Sequence, residues 1–196
     1  MHPELLTLVQ QRDRDRYLWA LCLPEKRQQD VFTILAFNAE IAPIAEITSE
    51  PITGAIRLKW WQDALEEIYS NQPVRQHAVV QALADTISRH QIPRALLEQL
   101  ISGREKDLEF AKGFENEAQF FAYLDDTVGA LHWLLAWICN AQAAEEHTKA
   151  IAAMAQIYGI CGLLRATPYL AQAGKVRWPK DSMKMFGLGP EAIESG

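Results

Sequence analysis

Asp125-Asp126 is the one place in the chain where two aspartates adjoin. Adjacent carboxylates can start an oxygen shell for Mg2+, but the shell wants a further acid about one turn on. Gly129 and Ala130 stand there instead. The pair therefore reads as a solvated helix edge, with chelation as the alternative. His77, His90, His132 and His147 lack a second histidine at i,i+4 and a cysteine at metal spacing, so zinc is not expected. No G-x-S-x-G elbow, P-loop or G-x-G-x-x-G occurs, which removes those hydrolase and nucleotide signatures. No catalytic residue and no metal ligand is assigned on this basis.

The candidate pocket residues are polar side chains set into apolar stripes. Asn38 interrupts the face Val31, Ile34, Leu35, Ile41, Ala42, Ala45. A buried amide must find partners, so Asn38 is either a structural hydrogen-bonding residue or a polar group in a pocket. Glu40 and Glu46 flank that face and read either as solvated carboxylates or as pocket acids. Pro43 takes a hydrogen bond from the helix and bends it, which suits a wall beside a cavity. Arg57 shares its segment with Lys59, Trp60-Trp61 and Asp63. Adjacent tryptophans point about 100° apart on a helix, so one of the two packs in the core. Arg57 and Asp63 are six apart and do not face each other. Arg165 continues the stripe Ile151, Met154, Tyr158, Cys161/Gly162, as a snorkelling arginine or as an anion-binding group.

The elements that position these residues are helices. Apolar residues recur with a period near 3.6, and no stretch alternates like a strand between Asn-Gly or Asp-Gly turns. Pro24, Pro51, Pro73 and Pro93 each fall where one pattern stops and another begins. The expected helices are 4–22, 25–47, 52–70, 75–91, 94–112, 117–140 and 145–173. The sixth carries two apolar stripes and should be central in a bundle. Gly159 and Gly162, inside the last helix, imply close packing or room for a ligand. The tail 174–196 is less regular and shows no obvious closing helix.

Length and composition bound the rest. With 196 residues, 49% of them hydrophobic, the reading is one globular domain over 1–196 with a sizeable core. A net charge of -6 gives no basic footprint for nucleic acid. A local basic patch at Lys175 and Arg177 leaves peripheral membrane contact open. Cys22, Cys139 and Cys161 read as reduced, buried thiols, which fits a cytoplasmic setting. No targeting segment is visible at the N-terminus. The most apolar stretch, Ala130 to Cys139, is too short to cross a bilayer, which takes ~20 residues.

Three groups of residues in order resemble one family. Phe37-Asn38-Ala39-Glu40-Ile41-Ala42, then Ser49-Glu50-Pro51, Gly54, Ile56-Arg57-Leu58 and Trp61, is similar to the first helix-pair signature of the squalene/phytoene synthase family. Gly103-Arg104-Glu105-Lys106-Asp107-Leu108, Tyr123 and Gly129 resemble its middle signature. Leu164-Arg165-Ala166-Thr167-Pro168-Tyr169, followed by Lys175-Val176-Arg177-Trp178-Pro179 and Asp181, resembles its closing motif. Within the family the likeness is nearest to the subfamily of complex I assembly factors and their bacterial relatives.

The resemblance implies an all-α isoprenoid synthase-like bundle around a central cavity. In active members two aspartate-rich motifs hold Mg2+ on prenyl diphosphates. The matching positions here are Ala42, Pro43 and Glu46, then Ala166, Tyr169 and Leu170. The expectation is a non-catalytic protein with no cofactor. It would bind a prenyl or lipid-like ligand or a respiratory-complex client, in the cytoplasm or peripheral to the inner membrane. The alternative is a divergent Mg2+-dependent head-to-head prenyltransferase drawing on Glu40, Glu46, Asp125 and Asp126. Tyr123 and Arg165 match a tyrosine and an arginine of the family's site. Family chains continue past the segment matching Trp178 to Asp181, so an incomplete bundle is expected at Gly196.

Overall fold

Prolines set where the helices begin in the computed structural model, which describes residues 2–48, 50–109, 113–175 and 177–188. Pro3 and Pro51 occupy the first turns of α1 (Pro3–Arg12) and α5 (Pro51–Tyr69), where a missing N–H costs nothing. Pro24 precedes α3 (Glu25–Ile41), and Pro93 precedes α7 (Arg94–Glu109). After Pro73 the chain is irregular, with a tight turn in which His77 N donates to the Arg75 carbonyl, before α6 (Ala78–His90) begins. Every regular element among the described residues is helical. Ser49, Val176, the end of the expected fifth helix at 110–112 and the tail 189–196 lie outside the described residues.

Three expected helices are broken, each for a local reason. The segment 4–22 divides at Asp13, whose backbone leaves helical geometry and whose carboxylate accepts from Arg16 N and, at 2.7 Å, from Arg16 Nη1. That capping bond starts α2 (Arg14–Leu21). The segment 25–47 stops at Ile41, and Pro43 introduces the short α4 (Ile44–Ile47). The segment 117–140 becomes α8 (Glu117–Leu124), a π-helical turn Asp125–Gly129, and α9 (Ala130–Glu146). Within α9, Asn140 leaves helical geometry and its side chain caps the N–H of Ala143, so the helix resumes past the expected end. Gly103 makes the π turn packable: a Cβ there would lie 2.8 Å from the Asp126 carbonyl oxygen, so only glycine lets α7 approach so closely.

The expected sixth helix supplies α9, packed among α3, α7 and the long helix that follows it, and α3 is more enclosed still. Its residues from Asp30 to Ala39 are buried on all sides, packed among α1, α2, α6 and α9. In α9, Leu131, Leu134, Leu135 and Ile138 form one buried stripe, and in α8 Phe121 is partly exposed. Asp30 is buried and held by Arg89 and, at 2.7 Å, by His90, which ties α3 to α6. A smaller cluster of Phe114, Phe120, Tyr123 and Leu124 packs against Trp178.

α10 (Thr148–Gln172) has 25 residues and is long and apolar enough to cross a membrane by length and composition. Ala130 to Cys139, expected to be the most apolar stretch, lies in α9 and falls short of that length. Only Ala155, Gly159 and Ala171 are buried in α10, because the π turn, α8 and α9 cover one side of it. Gly159 is a packing glycine, since a Cβ there would meet Leu124 at 2.9 Å, whereas Gly162 has open space. The tail contains α11 (Lys180–Met185), entered through Pro179 and anchored by its buried Met183. The cysteines are free, but Cys22 and Cys161 are exposed and Cys139 is half-buried. Their helices turn the thiol positions toward uncovered faces, so the expected burial does not hold.

Candidate functional site

α7 carries charge into the interior. Its buried stripe Leu97, Leu100, Ile101 continues with Arg104 and Asp107, so the helix that packs against α5 also delivers a carboxylate to a nearly dry place. Asp107 Oδ1 accepts from Tyr123 OH of α8 at 2.8 Å and from Arg177 Nη1. Arg177 Nη1 also donates to Tyr123 OH at 3.1 Å. Arg104 donates to Asp107 Oδ2 at 3.4 Å and to Asn38 Oδ1 of α3 at 3.2 Å. Two guanidiniums thus share one carboxylate, and the Nε atoms of Arg104 and Arg177 are buried without a hydrogen-bond partner.

Burial, and then the Asp107 carboxylate, push the Tyr123 phenol up to about 12. It stays protonated near neutral pH and acts as a hydrogen-bond donor, not as a base. Burial works against the Arg177 charge, but Asp107, Tyr123 and Glu46 together hold it above the ordinary arginine value. The expected basic patch at Lys175 and Arg177 therefore does not form. Arg177 is consumed by Asp107, and Lys175 Nζ donates to the Ala45 carbonyl at 3.1 Å.

An apolar cavity of about 410 Å3 lies between α2, α9 and α10, lined by Trp19, Leu135, Ala136, Cys139 and Met154. Asp15, Arg16, His132 and Tyr158 line it too and supply its polar groups. The Arg16 guanidinium lies 4.3 Å from the Tyr158 ring centroid. His132 Nδ1 is 2.8 Å from the Val128 carbonyl, so in the neutral ring that nitrogen carries the proton. Burial and then Arg16 lower the His132 pKa, which keeps the ring uncharged beside the apolar wall. A second apolar groove of about 580 Å3 runs between α8, α10 and α11, past Phe121, Leu164, Trp178 and Phe186.

The expected pocket residues separate into distinct places. Asn38 and Tyr123 join the buried network. Glu46 is exposed and acts on Arg177 through its charge. Glu40 and Arg57 line another pocket altogether. Arg165 is exposed and pairs with Asp15 at 2.9 Å, the snorkelling alternative rather than a pocket anion group. Sequence reasoning did not single out Arg104, Asp107 or Arg177 as functional. The available signal was the register of Asp107 on the stripe through Leu97, Leu100 and Ile101, where a charge demands a buried partner. Residues of the 410 Å3 cavity were also missed, because their elements meet only in the folded chain.

The residues present do not make the family's Mg2+ site. Ala42 and Pro43, with Ala166, Tyr169 and Leu170, offer no carboxylate where the paired motifs need them, and Glu46 stands as the one acid left. Among the described residues no group of three acidic, histidine or cysteine side chains is placed to hold a metal. Asp126 is taken by Lys106 and Gln99, and Asp125 by Gln156 at 2.8 Å.

The chain is an all-α bundle with an apolar cavity and a buried polar network, and comparison with known proteins places its family. The chain belongs to the squalene/phytoene synthase family, whose model matches residues 9–196. It is similar to the human NADH dehydrogenase (ubiquinone) complex I, assembly factor 6, with 31% identity over 187 residues, covering 95% of this chain and 55% of that protein. It is also similar to the chloroplastic phytoene synthase 1 of Zea mays, at 24% identity over 92% of this chain and 44% of the plant protein. The chain thus spans about half the length of the curated relatives it matches. In fold it resembles a ligand-bound dehydrosqualene synthase, with TM-score 0.85 and 16% identity over 97% of this chain and 65% of the other. A squalene synthase from Alicyclobacillus acidocaldarius superposes with TM-score 0.82 and 13% identity, over 98% of this chain and 71% of the other.

Proposed function

We propose that this chain is a non-catalytic squalene/phytoene synthase-family protein that holds a prenyl or lipid-like chain and assists assembly of a respiratory complex. The observation that carries the reading is an apolar cavity of ligand size in a chain that lacks most of the family's metal donors. The 410 Å3 space between α2, α9 and α10 falls within the ~300–1,000 Å3 of ordinary ligand sites. Of the positions that would neutralise a leaving diphosphate, Ala42, Pro43, Ala166, Tyr169 and Leu170 carry no carboxylate and only Glu46 keeps one. Without that neutralisation a carbocation does not form at a useful rate. No cofactor is required for the binding role.

The assembly role is supported by similarity to complex I assembly factor 6 from human. A respiratory client implies work at a membrane surface, and the apolar, little-buried α10 with its adjoining 580 Å3 groove suits peripheral contact there. Mass spectrometry of lipid and protein that co-purify is the direct test. A respiratory subunit together with an apolar lipid in stoichiometric amount is the expected result. Turnover of farnesyl or geranylgeranyl diphosphate by the purified protein with Mg2+ would sink the non-catalytic reading.

A further inference from the structure

A pocket of about 350 Å3 opens where α1, α3, α4 and α5 meet, apart from both the buried network and the apolar cavity. Its aromatic shelf is Trp60, Trp61 and His77, with ring centroids 5.0 to 5.4 Å apart. Trp61 is fully packed against Phe37, and Trp60 is covered by Arg75, whose guanidinium is 4.7 Å from its ring centroid. Arg75 is in turn held by both oxygens of Glu67 and by the Trp60 carbonyl at 2.9 Å. The shelf is therefore braced from behind.

Arg12 and Arg57 stand on the walls of this pocket, and among the described residues neither makes a hydrogen bond or an ion pair. Arg75, Arg94 and Arg165, by contrast, each hold a carboxylate. His77 lines this pocket too, with its Nδ1 buried and without a hydrogen-bond partner. Glu40 lines the same pocket, so its two guanidiniums and one carboxylate together carry a single net positive charge.

We propose that this pocket binds a carboxylate attached to an apolar or aromatic group, as presented by a peptide C-terminus with a bulky last residue or by a free aryl-substituted acid. A guanidinium fork matches a planar carboxylate through two parallel hydrogen bonds. The single net charge selects a monoanion, because a phosphate monoester or a diphosphate would leave negative charge uncompensated beside Glu40. The Trp60–Trp61–His77 shelf takes the apolar body. This site is independent of the lipid-binding reading and does not stand or fall with it.

The test is calorimetric titration of the purified chain with N-acetylphenylalanine and, as the uncharged control, its amide. The free acid is expected to bind saturably and the amide about tenfold more weakly, the loss of one charge-assisted contact. R12Q and R57Q should each weaken the acid by a similar factor without moving the melting temperature, since both side chains are exposed and unpaired. A tetrapeptide ending in phenylalanine that binds more tightly than N-acetylphenylalanine assigns the site to peptide termini, and equal affinity assigns it to a free acid. Acid and amide binding alike, no saturable binding of either, indifference to both arginine variants, or tighter binding of phenyl phosphate would each overturn the proposal.

Discussion

Replacing Asp107 with asparagine keeps the shape of the buried network and removes the one negative charge that Arg104 and Arg177 share. The Asp107 and Arg177 side chains are 2% and 8% exposed, so water cannot compensate. Removing one partner of a buried pair costs about 3–5 kcal/mol, because the other charge is left without compensation. Arg177→Met leaves Asp107 with Tyr123 and the longer contact to Arg104, so its loss should be smaller, roughly 2 kcal/mol. The double variant removes both charges of the shortest pair. Urea unfolding followed by circular dichroism gives all three values at constant m. The double variant should lose at least ~1.5 kcal/mol less than the sum of the single losses, which is the coupling expected of contacting groups. Additivity within ~0.5 kcal/mol, or a loss below ~1 kcal/mol for Asp107→Asn, would refute the reading that Asp107 holds Arg177 against α7 and α8.

Other substitutions separate packing from surface effects. Gly103→Ala should destabilise by about 1–3 kcal/mol, because its Cβ would meet the backbone of the π turn at 2.8 Å. Gly162→Ala should stabilise by roughly 1 kcal/mol, since its Cβ enters open space within a helix. The same thermal melts compare both. Arg165→Ala should change stability by less than ~0.5 kcal/mol, because its pair with Asp15 is solvent-exposed. A larger loss would return Arg165 to a structural role.

His132 supplies a pH prediction. Its folded pKa lies below 6.5, so between the folded value and 6.5 the unfolded chain binds more protons than the folded one. Stability from this group is present above 6.5 and declines as the pH falls through that window. An NMR titration of the ring should give a pKa below 6.5, and His132→Gln should flatten the acid slope. A measured pKa at or above 6.5 would contradict the burial of the ring beside Arg16.

Helix content and helix starts were legible because they depend on neighbours along the chain. Pro51 and Pro24 mark the entries of α5 and α3 in the sequence as in the fold. The bend at Pro43 was legible for the same reason, whereas the breaks at Asp13 and Asn140 were less so. An aspartate or asparagine can sit on an exposed helix face as easily as cap a new helix, and only its hydrogen-bond partner decides. The π turn at Asp125–Gly129 follows from the approach of α7 through Gly103, a contact between residues distant in the chain.

The same division runs through the candidate sites. Asn38 was visible as a polar residue in an apolar stripe, and the structure supplies its partner, Arg104, 66 residues away. Arg177 looked like part of a basic patch because its charge shows in the sequence and its burial does not. Family membership and the missing acids at Ala42, Pro43, Ala166 and Leu170 were determined by residue identity alone, since no packing can restore a carboxylate that is not encoded. Tertiary structure alone decided that Arg177 turns inward to Asp107 while Arg12 and Arg57 stand unpaired beside two tryptophans. Burial and charge pairing depend on which distant helices meet, and no local pattern of residues records that.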